Sequence, residues 1–194
     1  MKRIAVFCAS SSGKNKVYLE SAYQLGKKIA QKQYELVYGG AAVGLMGALA
    51  KGALENDGTV IGVLPKFLDR KELAQKELSQ LIMVESMHER KMTMNDLSDG
   101  SITLPGGFGT LEEFFEMITW AQLGLHQKPT ALLNINGYYD PLIAQLQKMN
   151  HEKLLRDEHL KLLIIENTIE AILDRMESYQ APDSIKQWLS RGDT

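Results

Sequence analysis

The sequence predicts an α/β fold, a doubly wound parallel sheet with helices on both faces. Three observations lead there. Short apolar runs rich in β-branched residues alternate with longer segments of helical period, the pattern of βαβ units. No linker, low-complexity tract or fixed-period repeat interrupts the alternation, so it reads as one domain over residues 1–194. The length of 194 residues is enough to bury one substantial core, and 44% hydrophobic with 24% charged residues is the balance of an ordinary globular chain.

The elements follow in order. Residues 3–8 open with Ile4-Ala5-Val6-Phe7-Cys8, a strand apolar on both faces. A helix is expected over 16–33, a strand over 35–38, a helix over 45–56 and a strand over 59–64. The strand at 81–84 leads into a helix at 87–96, and the strand at 100–104 into a helix at 110–123. Strands at 129–134 and 162–166 alternate with helices at 139–150 and 168–178, and 182–189 adds a last helical turn or two. The arrangement is Rossmann-like, and its ligands are expected beyond the carboxyl ends of the strands, near a topological switch point.

Composition narrows the function. A net charge of −2 supplies no general basic field for nucleic acid, so any anion site must be local. Cys8, the single cysteine, can form no intramolecular disulfide and reads as a packed thiol without a basic neighbour. Met1-Lys2-Arg3 precedes only five apolar residues, too few for a signal peptide or membrane span, and a cytoplasmic protein is expected. His88, His126, His151 and His159 lack metal-ligand spacing, so no metal site is expected.

Three loops after strands stand out. Ala9-Ser10-Ser11-Ser12-Gly13 is either a plain tight turn or a small hydroxyl-bearing wall against an anion. Gly39-Gly40-Ala41-Ala42-Val43-Gly44-Leu45-Met46-Gly47 has neither the dinucleotide fingerprint nor a P-loop ending. Its glycines serve either a ligand wall or helix packing. The third, Leu104-Pro105-Gly106-Gly107-Phe108-Gly109-Thr110, ends a strand and opens an amphipathic helix, where free amides and the macrodipole favour an anion. Thr110 and Glu113 also fit a plain capping box, with Thr110 as N-cap. Arg90 and Lys91, in Met87-His88-Glu89-Arg90-Lys91-Met92, follow the strand 81–84 at the end where the ligand is expected, though such a charged turn is also typical of a solvated face.

Pro105-Gly106-Gly107-Phe108-Gly109-Thr110-Leu111-Glu112-Glu113, fitting P-G-G-x-G-T-x-x-E, together with Arg90-Lys91, resembles the Lonely Guy family of cytokinin riboside 5′-monophosphate phosphoribohydrolases. Gly39–Gly47, Pro65-Lys66-Phe67-Leu68 and Ile118-Thr119-Trp120-Ala121-Gln122-Leu123-Gly124 support the resemblance, which runs from about Arg3 to Asn150. It implies hydrolysis of the N-glycosidic bond of an adenosine 5′-monophosphate, plain or N6-modified, to free base and ribose 5-phosphate, with no cofactor. It also implies a catalytic pair, Arg90 and Glu113, with Glu72, Lys91, Gly107, Phe108, Gly109, Thr110, Leu111, Glu112 and Thr119 contacting the nucleotide. Family members often carry a lysine-decarboxylase label, but no setting for a Schiff-base lysine is recognisable here. Met117, Trp120 and Leu123 read as core or subunit interface, and the resemblance favours an interface in a homodimer. A nucleotide transferase and a non-catalytic nucleotide-binding module are the alternative readings of the same loops.

Overall fold

The computed structural model describes residues 1–69, 75 and 77–182, so Glu72 and nearly all of the turn expected at 182–189 lie outside the described residues. In chain order the elements are β1 (Arg3–Phe7), α1 (Lys16–Gln31), β2 (Glu35–Tyr38), α2 (Gly44–Leu54), β3 (Val60–Pro65), α3 (Lys66–Asp69), β4 (Gln80–Val84), α4 (Met87–Leu97), β5 (Gly100–Thr103), α5 (Phe108–Gln122), β6 (Thr130–Leu133), α6 (Asp140–His151), α7 (Asp157–Leu160), β7 (Leu163–Glu166) and α8 (Ile169–Glu177). The one-turn helices α3 and α7 carry no sequence signal, because four residues are too few to display a 3.6-residue period.

Among the described residues the strands form a single seven-stranded sheet in the order β4-β3-β2-β1-β5-β6-β7, with every pairing parallel. Both faces are covered. Ile4 and Val6 of β1 point into one core layer with Leu36, Leu25, Leu49 and Ile172. Their neighbours Ala5 and Phe7 point into the other with Val63, Met94 and Met117. Two-sided burial is why the strand runs lack polar alternation. The doubly wound parallel sheet expected from the sequence is the fold that forms.

From β1 the chain winds outward through β2 and β3 to β4, then crosses back to lay β5 against the free side of β1. Phe7 pairs with Thr103 in that register, so the loops after β1 and β5 leave the carboxyl edge side by side. The Ala9 amide donates to the Pro105 carbonyl across them at 3.3 Å. The gap between these two loops is the switch point of the sheet.

Candidate active site

A cleft of about 340 Å³ opens at the switch point, floored by Phe7 and Cys8. Ser10 and Ser11 form one wall and residues 107–110 another, while Arg90 and Glu113 close the inner end. Gly39, Met46, Met87 and Glu112 also line it.

The α5 wall is built by glycine sterics. The helix begins at Phe108, two residues before the expected start, with Gly107 as N-cap and no side chain accepting from its first amides. Its first helical bond runs from Leu111 N to the Gly107 carbonyl at 3.0 Å, so the amides before it have no intrahelical partner. A Cβ at Gly107 or Gly109 would meet nothing within 4 Å, since both residues face open cleft. Thr110 therefore occupies the third helical position, buried beside Gly106, and is not a cap. The capping-box alternative does not form, because the Glu113 carboxylate turns to Arg90.

Arg90 projects from the first turn of α4. Ser86 caps that helix by accepting from the Glu89 amide at 3.1 Å, and Glu89 in turn accepts from the Glu85 amide at 2.7 Å. The guanidinium donates through Nε to the Val63 carbonyl and through Nη1 to Glu113 Oε1, both at 3.1 Å. Gly39 makes room for it: a Cβ there would stand 1.9 Å from Nη2. Arg90 is 8% exposed and Glu113 7%.

Burial pushes the Glu113 carboxyl up to about 7, against the pull of Arg90. A one-toothed contact offsets only part of the cost of removing the carboxylate from water. Burial, with the nearby Glu113 charge adding to it, also raises the Cys8 thiol, which stays protonated and inert as its sequence setting implies.

The α2 loop behaves differently. Gly44 sits at φ +59°, and a Cβ there would lie 2.3 Å from Ser10 backbone atoms. The Leu45 and Met46 amides at the start of α2 both donate to the Ala9 carbonyl, at 3.1 and 3.4 Å. This helix N-terminus is filled by the protein itself. Of the two roles open to that loop, Gly44 and Gly47 take packing, while Gly39 and Met46 face the cleft.

The structure thus gathers Arg90, Gly107, Phe108, Gly109, Thr110, Glu112 and Glu113 around one cleft. It does not bring Lys91, Leu111 or Thr119 to it. Lys91 is buried between α4 and α5, with Nζ 2.5 Å from Glu112 and 3.1 Å from Glu116. Burial alone would lower its pKa, but these two carboxylates raise it. Leu111 packs beside Phe114, Leu132 and Tyr139. Thr119 lines a separate apolar cavity of about 250 Å³ on the far side of α5, against α6 and α7. Nine residues of helix put it ~14 Å along the axis from Thr110.

Ser10, Ser11, Gly39, Met46 and Met87 line the cleft without having been assigned to the site from sequence. The serine and glycine loops stand out in the sequence, whereas the two methionines carry no local signal. Met117 is core, and Trp120 packs against it. His126 is structural: Nε2 donates to the Met117 carbonyl at 3.1 Å and Nδ1 accepts from the Lys128 amide at 3.2 Å. Among the described residues, no three His, Cys, Asp or Glu side chains gather as a metal site would need, and no helix is long and apolar enough to cross a membrane.

The chain is similar to known proteins in sequence and fold. A family model described as "Possible lysine decarboxylase" matches residues 46–176. A probable cytokinin riboside 5′-monophosphate phosphoribohydrolase of Oryza sativa subsp. japonica is 43% identical over 92% of this chain and 73% of its own length. An Arabidopsis thaliana cytokinin riboside 5′-monophosphate phosphoribohydrolase is 41% identical over 92% of this chain and 82% of its own. Among solved structures, a molybdenum cofactor binding protein from Rippkaea orientalis superposes with a TM-score of 0.69 at 25% identity, covering 92% of this chain and 97% of that one, which shows a shared fold. With a family model over more than half its length and relatives above 40% identity across nine-tenths of it, the chain belongs to the Lonely Guy family.

Proposed function

We propose that this chain hydrolyses the N-glycosidic bond of cytokinin riboside 5′-monophosphate, and of AMP, to free base and ribose 5-phosphate. The observation that carries the reading is a buried Arg90–Glu113 pair one turn behind an uncapped helix N-terminus that opens into the same cleft. Amides at the start of α5 and the Thr110 hydroxyl bind the 5′-phosphate, where the helix dipole favours negative charge. That anchor sets the ribose against Glu113. Phe108, 95% exposed at the rim, and Met87 offer an apolar face to the base.

The C1′–N bond breaks with oxocarbenium character, and the carboxylate of Glu113 stabilises the cation and takes a proton from the water that adds at C1′. The departing base carries away the bond's electron pair and is protonated from water. Arg90 steadies the developing negative charge without donating its own proton. A Glu113 carboxyl near 7 exists in both forms at neutral pH, so the base-competent form grows as pH rises through that value. The lysine-decarboxylase description finds no support in the cleft: no lysine lines it among the described residues, and Lys91 is taken by two carboxylates.

Incubation with AMP and with its N6-isopentenyl analogue, followed by chromatography of the base and a reducing-sugar assay, tests the reading. Base release without an added acceptor is expected. A transferase would require an acceptor, and a sensing module would bind without turnover. We further propose a homodimer in which Thr119 serves the partner's nucleotide, since it lies too far along α5 to serve the cleft of its own chain. A monomer by light scattering at assay concentration, with full activity, would exclude this.

A further inference from the structure

We propose that Tyr138, with Tyr139 behind it, is a positioning residue for the phosphate-binding loop, holding the Gly106 carbonyl away from the cleft so that the Gly107 amide faces the anion. The inference rests on the phosphate site proposed above. Three consecutive carbonyls between β5 and α5 are each held from outside the loop. Leu104 O accepts from the Tyr139 hydroxyl at 2.6 Å, Pro105 O from the Ala9 amide at 3.3 Å, and Gly106 O from the Tyr138 hydroxyl at 2.7 Å. In a planar trans peptide the C=O and N–H point in opposite directions. Holding the Gly106 carbonyl on the Tyr138 side therefore directs the Gly107 N–H the other way. A Gly106-Gly107 peptide is the least restrained kind against rotation, and a carbonyl swung into the cleft would repel phosphate.

The tyrosines are held in turn. They follow β6, the sheet neighbour of β5, through a turn in which Asn136 and Gly137 take φ of +52° and +68°. Asn134 locks that turn, accepting from the Tyr139 amide and donating to Asp140, both at 2.7 Å. The Tyr138 ring meets Tyr18 edge to face, with centroids 5.5 Å apart. Tyr138 is 41% exposed, so its hydroxyl contributes little to core packing and can be removed with the ring left in place.

Tyr138→Phe tests the inference through binding as well as turnover. Isothermal calorimetry with ribose 5-phosphate should show affinity lowered ~5- to 10-fold, the effect of one misdirected hydrogen-bonding group. The preference for AMP over adenosine should narrow by a similar factor, while Tm stays within about 2 °C. In the unaltered protein the Gly107 amide resonance should move on titration with inorganic phosphate, and in the Phe variant it should move less. Unchanged ribose 5-phosphate affinity in Tyr138→Phe would overturn the positioning role alone. Failure of the unaltered protein to bind ribose 5-phosphate, or to prefer AMP over adenosine, would instead overturn the phosphate site itself.

Discussion

Two helix N-termini flank the switch point, and they resemble each other in sequence far more than in use. Those of α2 and α5 each follow a strand through a glycine-rich loop, and neither has a side-chain cap. At α2 the Ala9 carbonyl takes two of the first amides, and a Cβ at Gly44 would strike Ser10 backbone. At α5 the first amides open into the cleft, and a Cβ at Gly107 or Gly109 would strike nothing. Glycine count therefore does not tell the two apart. What distinguishes the α5 start is the space left where the missing side chain would have gone, and the buried Glu113 one turn behind it.

The sharpest test of α5 as the working end is Glu113→Gln, which keeps shape and removes charge. Turnover on AMP should fall ~10²-fold or more, with substrate binding retained, as for a group acting mainly in the transition state. Near-normal turnover would make α5 as structural as α2.

Arg90→Lys comes next. The guanidinium makes two directed bonds at 3.1 Å, to Val63 and Glu113, which one ammonium on a flexible stem cannot reproduce. A loss in kcat/KM of ~10- to 100-fold is expected for Lys and for Ala alike, with circular dichroism unchanged. Retention of most activity by Lys would show that Arg90 supplies charge only.

The glycine contrast can be tested directly. Gly44→Ala must strain a left-handed residue against Ser10, and should cost on the order of 2 kcal/mol, several degrees in Tm. Gly109→Ala lies in ordinary helix facing open space, and should hold or raise Tm while weakening ribose 5-phosphate binding ~10-fold by crowding the amides. The reverse pattern would exchange the roles assigned to the two loops.

Stability should also depend on pH. Folding raises the Glu113 carboxyl from 4.5 to about 7, so the folded state favours its protonated form. The resulting stabilisation is fully present below 4.5 and is lost as pH rises through about 7. The Tm of the unaltered protein minus that of Glu113→Gln should therefore decrease between pH 5 and pH 8. A flat difference would mean that Arg90 holds the carboxylate ionised throughout.

Arg90 and Lys91 mark where sequence reading loses resolution. As adjacent cations in one charged turn they share one local pattern, and the resemblance sends both to the nucleotide. The 100° step between helical neighbours sends Arg90 into the cleft and Lys91 to Glu112 and Glu116. Thr110 and Glu113 had the spacing of a capping box. The helix instead starts two residues earlier, because Gly107 can serve as N-cap and the carboxylate finds a stronger partner 23 residues upstream. Tyr138 left no trace at all, since its role exists only through a carbonyl 32 residues away.

By itself the sequence determined the strand and helix alternation, the parallel sheet with both faces covered, and the presence of a P-G-G-x-G-T loop at a helix start. Those properties follow from local period and from backbone sterics among near neighbours. Tertiary structure alone decided which glycine-rich helix start is open, which of two adjacent cations faces the cleft, which hydroxyl orients the loop, and how far Glu113 is pushed from its ordinary pKa. Each of those depends on space and solvent at a point where residues distant in the chain converge, and neither quantity is written in any single segment.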